Sequence, residues 1–135
     1  MFQTLSYRLS LLYKDFYAYA GVRLHASGLH KGWIFFMLYV GKHPGCAPAE
    51  MTKALHMDWG YSQRCVTKLA EAGFLTKEKT GRIYRLELTE KGRQVFEESQ
   101  RLFQDWDREK LAGFTASERD TLQALLHRIP LDEEI

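Results

Sequence analysis

The sequence has few cysteines, little net charge and no long apolar run. Two cysteines, Cys46 and Cys65, among 135 residues are too few for a disulfide framework. No stretch approaches the roughly 18 consecutive apolar residues of a membrane-spanning helix, so no membrane partner is expected. The opening Met1-Phe2-Gln3-Thr4 has no basic stretch leading into an apolar one, so a secretory leader is not expected and the cytoplasm is the expected location. Catalytic signatures are missing too. There is no Gly-rich phosphate loop, no Gly-x-Ser-x-Gly and no pair of carboxylates in an apolar setting. The five histidines, His25, His30, His43, His56 and His127, lack metal-ligand spacing. An enzyme is therefore not expected, nor a catalytic residue, cofactor or metal. The formal net charge of +2 does not announce a nucleic-acid binder.

What is present narrows the field. A chain of 135 residues that is 45% hydrophobic and 13% aromatic suits one packed domain, or a domain with a dimerisation arm. The charge is unevenly spread. Residues 1–49 carry a net +4, residues 50–92 a net +2 and residues 93–135 a net −4. Between residues 62 and 86, Arg64, Lys68, Lys77, Lys79, Arg82 and Arg85 face only Glu71 and Glu78. Such a patch is either a solvated face or an anion-binding one.

Periodicity supplies the elements. Thr4 caps a long first helix in which Leu5, Leu9, Leu12, Phe16 and Tyr19 form one stripe. Tyr13, Tyr17, Ala20 and Leu24 form a second beside it, giving an apolar surface wide enough for two partners, and Gly28 ends the segment. A second helix is predicted from about Lys31 to Val40, broken by His43-Pro44-Gly45. Pro48 opens a short third helix with Met51, Ala54 and Leu55 inward. After a tight connection at His56-Met57, Asp58 caps a fourth helix that ends at Gly73. It turns Ser62, Cys65, Val66 and Leu69 inward and Gln63, Arg64, Thr67, Lys68 and Glu71 outward. Two short helices with a tight turn, the second polar outside, form a helix-turn-helix pattern. Strands at Phe74–Lys79 and Arg82–Leu88 flank a Thr80-Gly81 turn and add a basic hairpin, a wing. Thr89 caps a long helix with Val95, Phe96, Leu102, Phe103 and Trp106 on one face. Thr115 and Glu118 make a capping box for a last helix with Leu122, Leu125, Leu126 and Ile129 apolar, ended by Pro130. The predicted class is mainly α with a small β-hairpin (α+β).

These residues resemble the MarR family of winged-helix regulators over nearly the whole chain. Glu50-Met51 stands where the family has Glu-Leu at the start of its motif. Val66 and Leu69-Ala70-Glu71-Ala72-Gly73-Phe74-Leu75 match the end of its recognition helix. Leu88-Thr89-Glu90-Lys91-Gly92 matches the Leu-Thr-x-x-Gly that opens its dimer helix, and Gly28-Leu29, Trp33 and Met37 fit the approach to its second helix. The wing departs from the family's Asp-x-Arg, since Thr80 stands at the Asp position and Arg82 at the Arg position.

The resemblance implies a transcriptional regulator, more often a repressor, that binds double-stranded DNA as a homodimer on a pseudo-palindrome and is released by a small ligand or an oxidant. Residues 1–135 are then a single unit. About 30–89 form the winged helix-turn-helix, and about 4–27 and 90–131 the dimerisation helices. Candidate DNA contacts are Gln63, Arg64, Thr67 and Lys68 on the recognition helix and Lys79, Arg82 and Arg85 in the wing. The plainer reading is a solvated helix face, with lysines guarding an exposed strand edge. Tyr13, Phe16, Tyr17, Trp33 and Phe36 are candidate linings for a small aromatic effector, or junction packing. Cys65 falls on the inward face of its helix, whereas Cys46 lies in a loop near His43 and is expected to be the accessible thiol. The rival reading is a winged-helix protein-interaction module with weak or lost DNA binding.

Overall fold

The first apolar stripe does become a helix, but little of it is covered. In the computed structural model, which describes residues 2–131, α1 spans Leu5–Leu24. Thr4 caps it by accepting a hydrogen bond from the Tyr7 amide at 3.2 Å. Only Phe16, Ala20 and Leu24 of this helix are buried; Leu5, Leu9, Leu11 and Tyr13 lie open. A 3₁₀ turn at His25–Ser27 and the left-handed Gly28 (φ 77°) end it.

A second 3₁₀ turn covers Lys31–Trp33, so α2 begins at Ile34 and runs to Lys42, later at both ends than the sequence pattern suggested. Ile34, Phe36, Met37, Tyr39 and Val40 are buried in it, making it the centre of the core. α3 spans Pro48–Ala54 with proline in its first turn, and α4 spans Trp59–Glu71 behind its Asp58 cap. β1 (Leu75–Thr80) and β2 (Ile83–Leu88) pair antiparallel, with Leu75 opposite Leu88 and Thr80 opposite Ile83. The turn is therefore Gly81-Arg82, one residue later than expected. Gly81 takes φ 65°, the glycine-first pattern of a tight type II′ hairpin. That shift lifts Arg82 out of the strand to the tip of the wing.

α5 (Glu90–Lys110) and α6 (Ala116–His127) follow. The Thr89 hydroxyl accepts from the Gly92 amide at 3.0 Å and donates to the Gly73 carbonyl at 2.6 Å, so one side chain caps α5 and ties it to the end of α4. Gly92 is buried here. A Cβ at this position would sit 1.8 Å from the Phe74 carbonyl oxygen, so only glycine lets α5 start this close to β1. α5 then packs across α2, where a Cβ on Gly41 would meet the Phe96 ring at 2.2 Å. α6 has the capping box of Thr115 and Glu118, yet none of its residues is buried.

The acidic C-terminal third also reads differently. Asp132, Glu133 and Glu134, counted in its −4, lie outside the described residues. Residues 93–131 carry six basic and seven acidic side chains, so α5 and α6 are nearly neutral.

Candidate nucleic-acid interface

The recognition helix is held from below by a buried hydroxyl pair. Thr52 Oγ1 on α3 donates to the Pro48 carbonyl at 2.7 Å and lies 2.6 Å from Ser62 Oγ on α4. Thr52 has one proton, which goes to Pro48, so Ser62 donates to Thr52. Both side chains are buried, and together they pin the two helices of the motif at a fixed angle. The turn between them passes through His56 at φ 53°. Asp58 accepts from the Tyr61 amide at 2.9 Å and caps the start of α4. Ser62, Cys65, Val66 and Leu69 face inward as the periodicity required.

The outer face then follows. Arg64, Thr67 and Lys68 are exposed, and with Gln63 and Glu71 they line a shallow depression. Gln63 differs from the others. It is half-buried, its Oε1 accepts from Lys77 Nζ of β1 at 3.4 Å, and its Nε2 is buried without a partner. In the wing, Lys77 and Lys79 both lie over the Tyr84 ring, at 4.6 and 5.9 Å from its centroid. Arg82 is exposed at the tip. Arg85 is turned to the other face of the hairpin, opposite Glu78, and donates to the Gly45 carbonyl at 3.1 Å. The structure thus brings Gln63, Lys79 and the α4 cations to one side and ties Arg85 to the loop before α3. Thr52 and Tyr84 carry no signal in the sequence that marks them as site residues. Lys77 stood in the basic stretch, but nothing in a linear pattern links it to Gln63.

The five aromatic candidates do not meet as one group. Phe16 packs on Phe103 and Trp106 at 4.7 and 5.5 Å, between α1 and α5. Tyr13 stacks on Tyr17 at 5.7 Å, and Lys31 covers the Tyr17 ring. Trp33 faces His30, whereas Phe36 is fully buried and faces Tyr61. A cavity of about 240 Å³ lies beside them, lined by His30, Trp33, Tyr61, Arg64, Cys65 and Lys68. Of the five, only Trp33 lines it. The neighbouring Cys65 thiol, then burial, raise the Tyr61 pKa above that of an ordinary phenol.

Cys46 corrects an expectation. Its backbone bridges to Leu86, the Leu86 amide donating to the Cys46 carbonyl at 2.9 Å, and the side chain is buried. Burial, then the nearby Glu50 carboxylate, push the thiol pKa up to about 11. The loop is pinned by the wing, so the thiol is neither accessible nor ionised at neutral pH. Cys65 is buried as well.

Known proteins share this architecture. No family model matches the chain. The HTH-type transcriptional regulator BilQ of Clostridium symbiosum is 34% identical over 137 residues, spanning 99% of this chain and 95% of that protein. A MarR transcriptional regulator from Methanosarcina mazei has the same fold at a TM-score of 0.83, with 23% identity, over 91% of this chain and 84% of that one. This chain belongs to the MarR family. A MarR-family regulator from Listeria monocytogenes, solved in complex with a 26mer DNA, superimposes at a TM-score of 0.82 with 18% identity, over 94% of this chain and 87% of that one. The chain is therefore a DNA-binding transcriptional regulator of the winged-helix class and not an enzyme. No helix among the described residues is long and apolar enough to cross a membrane.

Proposed function

We propose that this MarR-family protein is a cytoplasmic repressor that binds a pseudo-palindromic operator as a homodimer and is released by a small effector. The observation that carries the reading is the separation of two surfaces. Exposed cations of α4 and the wing gather on one side, and the exposed apolar residues of α1 and α6 lie on faces that the core does not cover. A 12-residue helix with no buried residue is marginal by itself in water, which argues that α6 packs on a second copy. Residues from about 30 to 89 then form the DNA-reading part, and about 4–27 and 90–131 the dimer arms.

In this reading Arg64 and Thr67 meet base edges, Gln63 joins them, and Lys68, Lys79 and Arg82 hold phosphate or the minor groove. Arg85 contributes less, because its guanidinium is already bonded to Gly45. Half-sites one helical turn apart give a site of roughly 20 base pairs. The cavity beside Trp33 and Tyr61 is small, but it opens on Arg64 and Lys68, so a one-ring anionic effector seated there would compete for cations that DNA needs.

The test is a mobility shift on DNA from the protein's own promoter, titrated with salt. A specific complex whose log affinity falls steeply with log salt is the expected result. No complex at about 50 mM salt, where phosphate contacts are strong, would leave a winged-helix protein-interaction module as the better reading.

A further inference from the structure

We propose that Lys77 is a positioning residue that latches Gln63 in the DNA-free protein, so that the wing controls when this amide can read a base. The inference rests on the reading of Gln63 as a base contact. The hairpin register places Lys77 opposite Leu86 and Lys79 opposite Tyr84, and cross-strand partners share a face. Leu86 is buried, so this face is turned toward the domain and α4. Tyr84 holds the Lys77 ammonium over its ring, where Lys77 reaches the Gln63 amide.

The chemistry of the pair sets the amide's orientation. An ammonium has only donors, so the atom facing it must be Oε1. Nε2 is then turned inward, where it is buried and unpaired. Reading adenine takes both ends of the amide, with Nε2 donating to N7 and Oε1 accepting from N6. The latched side chain offers neither end freely. Specific binding must open the Lys77 contact, whereas binding through phosphates alone leaves it closed. On release, Nε2 gains its missing acceptor. The latch therefore weakens specific binding selectively, and by a small amount, because the 3.4 Å contact is long and exposed.

The experiment measures the ratio of specific to nonspecific affinity by fluorescence anisotropy at one fixed salt. The probes are an operator duplex selected from random DNA by the wild-type protein and a scrambled duplex of the same length. Lys77→Met keeps the stem on Tyr84 and removes the donor. It should lower both affinities yet raise the ratio about two- to three-fold, the scale of one weak hydrogen bond. Lys79→Met removes the same charge from the same strand without touching Gln63, so both affinities fall and the ratio stays. In a Gln63→Ala background, Lys77→Met should leave the ratio unchanged. A ratio that is flat or falls in Lys77→Met, or that rises equally without Gln63, overturns the latch while leaving DNA binding intact. A wild-type protein that selects no operator overturns the base-reading role of Gln63 and the latch with it.

Discussion

The winged part of the chain and its two arms are built on opposite principles. Around α2, α3, α4 and the hairpin lies most of the core, and buried polar groups are mostly paired: Thr52 with Ser62, Thr89 with Gly73, the Cys46 backbone with Leu86, the Gln63 amide nitrogen being the exception. In the arms the pattern is inverted. Leu5, Leu9, Leu125 and Leu126 are exposed, while charged groups join the Phe16 packing in holding α1 to α5. Arg23 bonds Glu98 at 2.8 Å and Asp105 at 3.0 Å, and Asp15 accepts from Lys110 and from the Trp106 indole. The winged part is complete within one chain. The arms are complete only if something else covers them, and the proposed second copy does that.

Five perturbations would break or sharpen this contrast. The largest effect is expected from Gly92→Ala. The Phe74 carbonyl cannot yield without moving the end of α4, so the loss should reach about 3 kcal/mol in denaturant unfolding. A variant as stable as the wild type would mean that α5 does not start so close to β1. Thr52→Val comes next. It leaves Ser62 without its acceptor and removes the hydroxyl donor from the Pro48 carbonyl, which keeps its helical amide donor, an expected cost of about 2 kcal/mol with DNA affinity falling alongside. By contrast, Leu125→Asp together with Leu126→Asp should leave the winged part folded and shift the protein to monomer, read by sedimentation. Unchanged mass would show that α6 does not carry the interface. The smallest effect concerns Arg82. Arg82→Ala should lower the slope of log affinity against log salt by about 0.9, one phosphate contact. Arg85→Ala should change it less, and equal changes would contradict the tie to Gly45.

Acid should act on the arms before the winged part. Arg23, by hydrogen bonding, holds the Glu98 and Asp105 carboxyls below their ordinary values, and Lys110 and then Trp106 do the same for Asp15. A depressed carboxylate contributes stability that is full above its unfolded pKa and is lost as pH falls through the lower folded one. The α1–α5 contacts should therefore be intact at neutral pH and loosen below the ordinary carboxylate range. Arg23→Gln should flatten that acid limb in a thermal melt across pH. The same limb in wild type and variant would remove Arg23 from the account.

The contrast also explains what could be read in the sequence. Thr4, Asp58, Thr89 and the Thr115–Glu118 pair cap helices as expected, because a cap is a side chain bonding its own backbone three residues away. The inward face of α4 was legible for the same reason, since helical period fixes which residues share a side. Long-range contacts were not. The burial of Cys46 depends on Leu86, some 40 residues on, and the need for glycine at 41 depends on the Phe96 ring. The turn slipped by one because Thr80-Gly81 and Gly81-Arg82 both place a glycine in the pair, and only the register chooses between them. The stripes of α1 and α6 were visible, but a stripe shows that a face will be covered and not by what.

The most direct test of the central claim is the stoichiometry of the protein on its operator, measured by sedimentation of a roughly 20 base-pair duplex with increasing protein. The account predicts a complex of two chains per duplex, lost in the Leu125→Asp, Leu126→Asp variant and dissociated by salt. A stable, specific complex of one chain per duplex would contradict it.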